Sequence, residues 1–217
     1  MSSINVYGIP GSPFLRSVEI GLREKDLPYH LHALAPGEHK QPDYLARHPF
    51  GRVPAFEHDG FSIYETQAIL RYLDDVFPNP PLTPPDPKLR ARVNQVIGVI
   101  EWYFFPKAAA PIAFNRIIGP RLLGVTGDEA AIADAMPMAR TCFAELDRLL
   151  GDKAYFGGDS VSIADIMLAA QLDLFSECAE GRELIGGTAN LPAWLKRMLA
   201  RPSFVATQPP AMLREAA

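Results

Sequence analysis

The chain has 217 residues, enough for one large core or two small ones, and at 48% hydrophobic and 21% charged it has the composition of an ordinary folded soluble protein. A net charge of −4 excludes the basic stripe that phosphate contacts need, so nucleic acid is not an expected partner. Two cysteines, Cys142 and Cys178, with no CxxC pair, exclude a disulfide scaffold and a dithiol redox centre, and point to core residues in a reducing compartment.

The N-terminus, MSSINVYG, lacks the basic and apolar segments of a signal peptide, and no window reaches the roughly 18–20 apolar residues of a membrane span. A cytoplasmic protein without membrane association is expected. Ile4 to Tyr7 reads as a first strand, stopped by the turn-forming stretch Gly8 to Gly11. Ser12 and Pro13 then give a helix start, serine as N-cap and proline at the first helical position, with the helix running to about Lys25. Tyr29 to Leu34 reads as a second strand. Pro54 to Glu57 and Phe61 to Tyr64 form a hairpin around His58, Asp59 and Gly60. A helix from about Glu65 to Val76 presents Ile69, Leu70, Leu73 and Val76 to a core.

Five of the nine residues from Asn79 to Pro87 are proline, which forbids both a regular helix and a central strand there. We expect a domain over residues 1–78, a linker over 79–87, and an all-helical domain over 88–217. In the latter, Leu89, Val93, Val96, Ile97, Ile100 and Phe104 recur at helical spacing. A further helix spans about Asp128 to Leu150, with Pro137 a kink or break inside it. The segment from Ser162 to Cys178 is apolar nearly all round, as a central buried helix is, and Ser162 with Asp165 forms a variant capping box.

Several ordered motifs of the first 80 residues carry a resemblance. VYGIPGSPFLRSVEIGLREKDLPYHL and GEHKQPDYLARHPFGRVPAFEHDGFSIYETQAILRYL resemble the glutathione-binding domain of soluble, serine-type glutathione transferases, nearest to the phi class or a bacterial relative. The SVSIADI segment resembles the same family's helical domain. The resemblance implies a fold: an α/β thioredoxin-like domain with a mixed four-stranded sheet, followed by an all-α domain. It also implies a homodimer, with Phe50 as an aromatic anchor at the interface.

The same resemblance assigns roles. Ser12 is implied as the catalytic hydroxyl that holds the glutathione sulfur as thiolate. On spacing alone Ser12 is equally well a plain helix cap, and Tyr7, at the end of the first strand, is the rival hydroxyl. Physically, a helix N-terminus favours an anion, and a serine hydrogen bond adds to it. Val53 and Pro54 match the cis-proline site that pairs with the cysteinyl backbone of the tripeptide; a trans proline opening an edge strand is the plain alternative. Glu65 and Thr66 match the γ-glutamyl site. His39 and Lys40 match the residues that hold the glycine carboxylate. Arg52 stands where the family pattern usually has glutamine and offers a fork to that carboxylate.

Phe14, Trp102, Tyr103, Phe105 and Phe114 are candidates for the apolar pocket that takes the electrophile, with part of the cluster belonging to the core. His30 and His32 alternate on a strand without a third ligand, so no metal is expected. The implied reaction is attack of glutathione thiolate on an apolar electrophile, with peroxide reduction, dehalogenation and isomerisation open to the same thiolate. A non-catalytic scaffold of this fold is the alternative, disfavoured by the presence of Ser12, Pro54, Glu65 and Thr66.

Overall fold

The computed structural model describes residues 3–213. Its first part is a four-stranded sheet of order β2-β1-β3-β4. β1 (Ile4–Gly8) runs parallel to β2 (His30–Ala33) and antiparallel to β3 (Ala55–His58), which pairs antiparallel with β4 (Phe61–Tyr64). The parallel pair needs a crossover, and α1 (Pro13–Glu24) supplies it. α2 (Pro42–Leu45), preceded by a short 3₁₀ turn at Glu38–Lys40, leads into β3, and α3 (Thr66–Val76) closes the unit. This is the thioredoxin-like arrangement that the resemblance implies.

Strand alternation decides which face of the sheet is covered. Ile4 and Val6 point to one side and pack with Phe56, with Leu15, Val18 and Leu22 of α1, and with Ile69 and Leu73 of α3. Asn5 and Tyr7 point to the other side. The hairpin turn holds two residues, not three: His58 pairs with Phe61 inside the ladder, leaving Asp59 and Gly60 at φ 49° and 85°, as a tight two-residue turn requires. Val76 is a second difference from expectation. It is 43% exposed, whereas Leu73 before it and Phe77 after it occupy the core side.

The proline-rich segment is irregular up to Asp86, whose carboxylate caps α4 (Pro87–Val99) at Leu89 N, 2.8 Å. It is pinned rather than loose. Lys25 Nζ donates to Asp74 (2.8 Å), to Phe77 O and to Pro80 O (both 2.7 Å), and Leu82 N donates to the same Asp74 carboxylate.

The second part is helical. α4 continues without a break through a π-helical stretch (Ile100–Ala109), a short α5 (Ala110–Ala113) and a second π-helical stretch (Phe114–Leu123). Proline accounts for this geometry. Pro106 and Pro120 lie inside the two stretches; neither has an N–H for the ordinary i→i−4 bond, and the wider turn accommodates the loss. α6 (Glu129–Leu150) is continuous through Pro137, so of the kink or break expected there the break does not occur. Then follow α7 (Ile163–Phe175), α8 (Ala179–Gly186), α9 (Leu191–Leu199) and α10 (Pro202–Val205), with a 3₁₀ turn at Ala211–Leu213.

α7 is the axis of this half. Every one of its residues is buried except Asp173, and that residue pairs with Arg16 of α1. Phe104, Phe143 and Phe175 stack around it. At its start, Asp165 is wholly buried and accepts from Phe156 N (2.9 Å), Gly157 N, Ser162 N (2.9 Å), Ser162 Oγ (2.6 Å) and Trp194 Nε1 (2.8 Å). Burial pushes this carboxyl up, and the five donors oppose that push. No helix among the described residues is long and apolar enough to cross a membrane.

Candidate active site

β1 delivers the chain to a turn in which Ser12 N donates to Ile9 O (3.0 Å), and α1 begins at the next residue. Ser12 is the N-cap, with extended backbone (φ −65°, ψ 125°) and a half-buried side chain. Its Oγ accepts from Leu15 N at 3.5 Å, the outer limit for such a bond, so the hydroxyl is aimed at the helix end without being consumed by it. Ser17 sits deeper, buried, with Oγ donating to Pro13 O (2.8 Å).

A second helix end lies beside the first. Thr66 opens α3, is buried, and its Oγ1 reaches Phe14 O across 3.5 Å. Two helix N-termini, each a region of positive potential, are thereby set side by side. Between β4 and α3, Glu65 holds φ 73° and ψ 116°, a conformation that costs a non-glycine residue of order 1–3 kcal/mol. The Glu65 side chain is exposed and makes no cap bond to α3.

The Val53–Pro54 peptide is cis. Val53 lies just outside the sheet ladder, whose β3 register begins at Ala55, so its backbone does not belong to that pairing. A second cis bond, Asn79–Pro80, has no sequence signal that we read.

His39, Lys40 and Arg52 come together although eleven residues or more separate the turn from Arg52. Lys40 Nζ donates to Gly51 O (2.7 Å), and Tyr44 Oη donates to Arg52 O (2.7 Å), which fastens the 3₁₀ turn and α2 to the segment before β3. Burial lowers the His39 imidazole from its ordinary range, and the charges of Lys40 and Arg52 lower it further. His39 Nδ1 is buried with no partner among the described residues.

Two residues here escaped the sequence reading. His48 is 2% exposed, stacks on Tyr64 (ring centroids 4.5 Å apart), and has its Nδ1 unpartnered among the described residues. Burial lowers it, Glu65 raises it, and Arg52 and Lys40 lower it again, so it stands in the field of both charged clusters. Glu101, from the first π-helical stretch, accepts from Gln67 Nε2 of α3 (2.9 Å). Burial first, and the Glu65 charge second, push its carboxyl up to about 7. Nothing local in the sequence marks either one, because both acquire their surroundings from distant segments.

Tyr7 faces away from the α1 core. Its ring stacks on His32 (4.3 Å, 9°) and is covered by the Arg47 guanidinium at 4.2 Å. His32 also bonds Asn5, and no group of three or more His, Cys, Asp or Glu residues suited to a metal occurs among the described residues.

The π-helical geometry fans the aromatic quartet. Phe104 is core, whereas Phe105 meets Phe14 edge to face at 4.5 Å, two residues from Ser12. Trp102 is 73% exposed, Tyr103 carries Lys107 over its ring, and Phe114 is 45% exposed, so only Phe14 and Phe105 of the five aromatic candidates form a pair.

Comparison with known proteins agrees with this geometry. Residues 6–81 match the family model for the glutathione S-transferase N-terminal domain, and residues 129–197 match that for the C-terminal domain. Glutathione S-transferase F14 of Arabidopsis thaliana is 33% identical over 178 residues, covering 79% of this chain and 68% of the relative. The structure of glutathione transferase F7 from Populus trichocarpa superposes with a TM-score of 0.85 at 27% identity, over 94% of this chain and 97% of that one. A glutathione S-transferase-I solved with the ligand lactoylglutathione gives 0.82 at 25% identity, over 94% and 98%. With both halves matched in order, and a relative aligned along most of the chain, the protein belongs to the glutathione S-transferase family.

Proposed function

We propose that this glutathione transferase is of the serine type, with Ser12 as the hydroxyl that stabilises the glutathione thiolate. The observation that carries the reading is the open cap of α1: a half-buried serine at a helix N-terminus, its hydroxyl held only by a 3.5 Å contact. A thiol of pKa about 8.5 is a few per cent ionised at neutral pH, and lowering it by about two units takes roughly 2.7 kcal/mol. A charge-assisted hydrogen bond contributes about 1.5–3 kcal/mol and a helix end about 0.3–1 kcal/mol, which together reach that figure. Tyr7 is poorly suited to the role, since its ring is enclosed by His32 and Arg47 on the opposite face of the sheet.

The tripeptide lies along the edge of the sheet unit in this reading. Thr66 and the α3 N-terminus take the γ-glutamyl carboxylate, and the strained Glu65 takes its ammonium. The backbone of Val53, next to Pro54, pairs with the cysteinyl unit. His39, Lys40 and Arg52 hold the glycine carboxylate, supported by the unpartnered His39 Nδ1. The first unit, up to the proline-rich segment, binds glutathione, and the helical unit supplies the electrophile pocket, with the Phe14–Phe105 pair as its wall.

The reaction is nucleophilic attack on an apolar electrophile, giving thioether conjugates, and the same thiolate serves peroxide reduction, dehalogenation or isomerisation. Phe50, 68% exposed with its ring edge toward His48 and Tyr64, supports a homodimer in which it fills a partner pocket. The two buried free cysteines suit the cytoplasm. An ultraviolet titration of bound glutathione tests the chemistry. Thiolate absorbance near neutral pH, moving to higher pH in Ser12→Ala, is the expected result; an unmoved titration would remove Ser12 from the mechanism.

A further inference from the structure

Gly11, the residue before Ser12, has φ 95°, a conformation that side chains rarely adopt. The space where its Cβ would stand is already filled: Leu213 Cδ1 lies 2.3 Å from that point and Pro210 Cδ 3.3 Å. Leu213 is 3% exposed and belongs to the helical core. The far end of the described chain therefore presses directly on the loop that presents the proposed catalytic hydroxyl.

The contact is anchored from a third element. Arg121, near the end of the second π-helical stretch, donates Nη1 to Leu213 O (2.7 Å) and Nη2 to Glu177 O (3.1 Å). A guanidinium bonded to two carbonyls holds its partners in a fixed fork. Within the 3₁₀ turn, Leu213 N closes on Pro210 O (3.0 Å), so the two residues that meet Gly11 are bonded to each other.

From these contacts we infer that Leu213 is a positioning residue for the reaction: through Gly11 it fixes Ser12 Oγ at the end of α1, and Arg121 holds Leu213 in place. This rests on the serine-type reading above. The physical basis is that the Ser12 backbone is tied to Ile9 O and Arg16 N (both 3.0 Å), so the placement of the hydroxyl follows the placement of this loop. Its own cap bond is long, its neighbour is a glycine, and a misplacement of about 1 Å can cost roughly 100-fold in rate. Glutathione binding rests on other segments, so loosening the Leu213 wedge should raise the pH at which the bound thiol ionises and leave affinity almost unchanged.

The test uses the intact chain with glutathione and a model aromatic halide. In Leu213→Ala the thiolate titration midpoint should rise by about half a unit or more, and turnover at neutral pH should fall with the thiolate fraction, by about 1.5-fold or more. The glutathione dissociation constant should stay within about two-fold. Leu213→Met, which refills the space, should restore the midpoint. Arg121→Gln, which removes the carbonyl anchor and the 3.8 Å ion pair to Glu177, should move the midpoint in the same direction by less, and it keeps the test open if Leu213→Ala does not fold.

A folded Leu213→Ala with an unmoved midpoint overturns the inference, as does failure of Leu213→Met to restore it. For an unfolded Leu213→Ala, an unmoved Arg121→Gln does the same. Ser12→Ala separates the two readings. If its own midpoint equals wild type, the serine assignment fails whatever the wedge variants do. If it shifts while the wedge variants do not, only the wedge fails.

Discussion

Two serines in this chain hold the same station at the start of a helix and are treated in opposite ways. Ser162, at the head of α7, is wholly buried and gives its hydroxyl to Asp165 at 2.6 Å, inside a network of five donors. Ser12, at the head of α1, is half-buried, and its hydroxyl accepts from Leu15 N at a long 3.5 Å. At the α7 head the Ser162 hydroxyl and N–H and the Asp165 carboxylate all find partners within the chain. In the first unit Glu65 holds a strained backbone, and His39 Nδ1 and His48 Nδ1 have no partner among the described residues. The α7 head is where local preference, packing and hydrogen bonding agree, and it stores stability. The α1 and α3 heads leave groups open, and such disagreement marks a place kept for a ligand.

Asp165→Ala should break the contrast hardest. It strips four N–H groups and a hydroxyl of their buried acceptor, and we expect a loss of about 3–5 kcal/mol, read from urea unfolding. A loss under about 1 kcal/mol would mean that the network is not what holds the helical half together. Ser12→Ala should do the reverse. Turnover at neutral pH should fall about 10-fold with the glutathione KM within a few-fold, while stability changes by no more than about 1 kcal/mol. Equal losses of rate and of binding would make Ser12 an ordinary contact.

Glu65→Gln comes next. It removes a carboxylate from the proposed ammonium site, and the glutathione KM should rise about ten-fold with kcat largely kept. An unchanged KM would remove Glu65 from the site. Glu101→Gln gives the smallest effect and the clearest sign. Burial and Glu65 raise this carboxyl from its ordinary 4.5 to about 7, so between those values the folded protein binds more protons than the unfolded one. Stability should therefore decline as pH rises through that window, and Glu101→Gln should flatten the decline in thermal melts of the unliganded protein. An identical slope in both proteins would show that Glu101 ionises as in water.

Much of the fold was legible because its signals are local. A serine–proline pair starts α1, Asp59–Gly60 turns the hairpin, and an all-apolar run makes α7. The Val53–Pro54 cis bond came from the motif, not from any property of the dipeptide. What could not be read is what distance creates. His48 is an unremarkable loop histidine until Tyr64, Glu65 and Arg52 surround it, and Glu101 an ordinary helical glutamate until α3 covers it. Val76 fits the helical period but is left exposed, the core side at the end of α3 being taken by Leu73 and Phe77. The π-helical turns were hidden for another reason: apolar spacing up to Phe104 is the same whether the following turns are wide or regular.

Those wide turns have a consequence for how this protein can change. Along Trp102 to Phe105, four successive aromatic side chains answer to different judges: solvent for the first two, the core for Phe104, and Phe14 beside the Ser12 loop for Phe105. A substitution at 105 can re-cut the proposed electrophile pocket without disturbing the Phe104–Phe143–Phe175 cluster one residue away. Selectivity and stability are thus inherited through adjacent codons yet are free to drift apart, which suits a scaffold that meets new electrophiles over time.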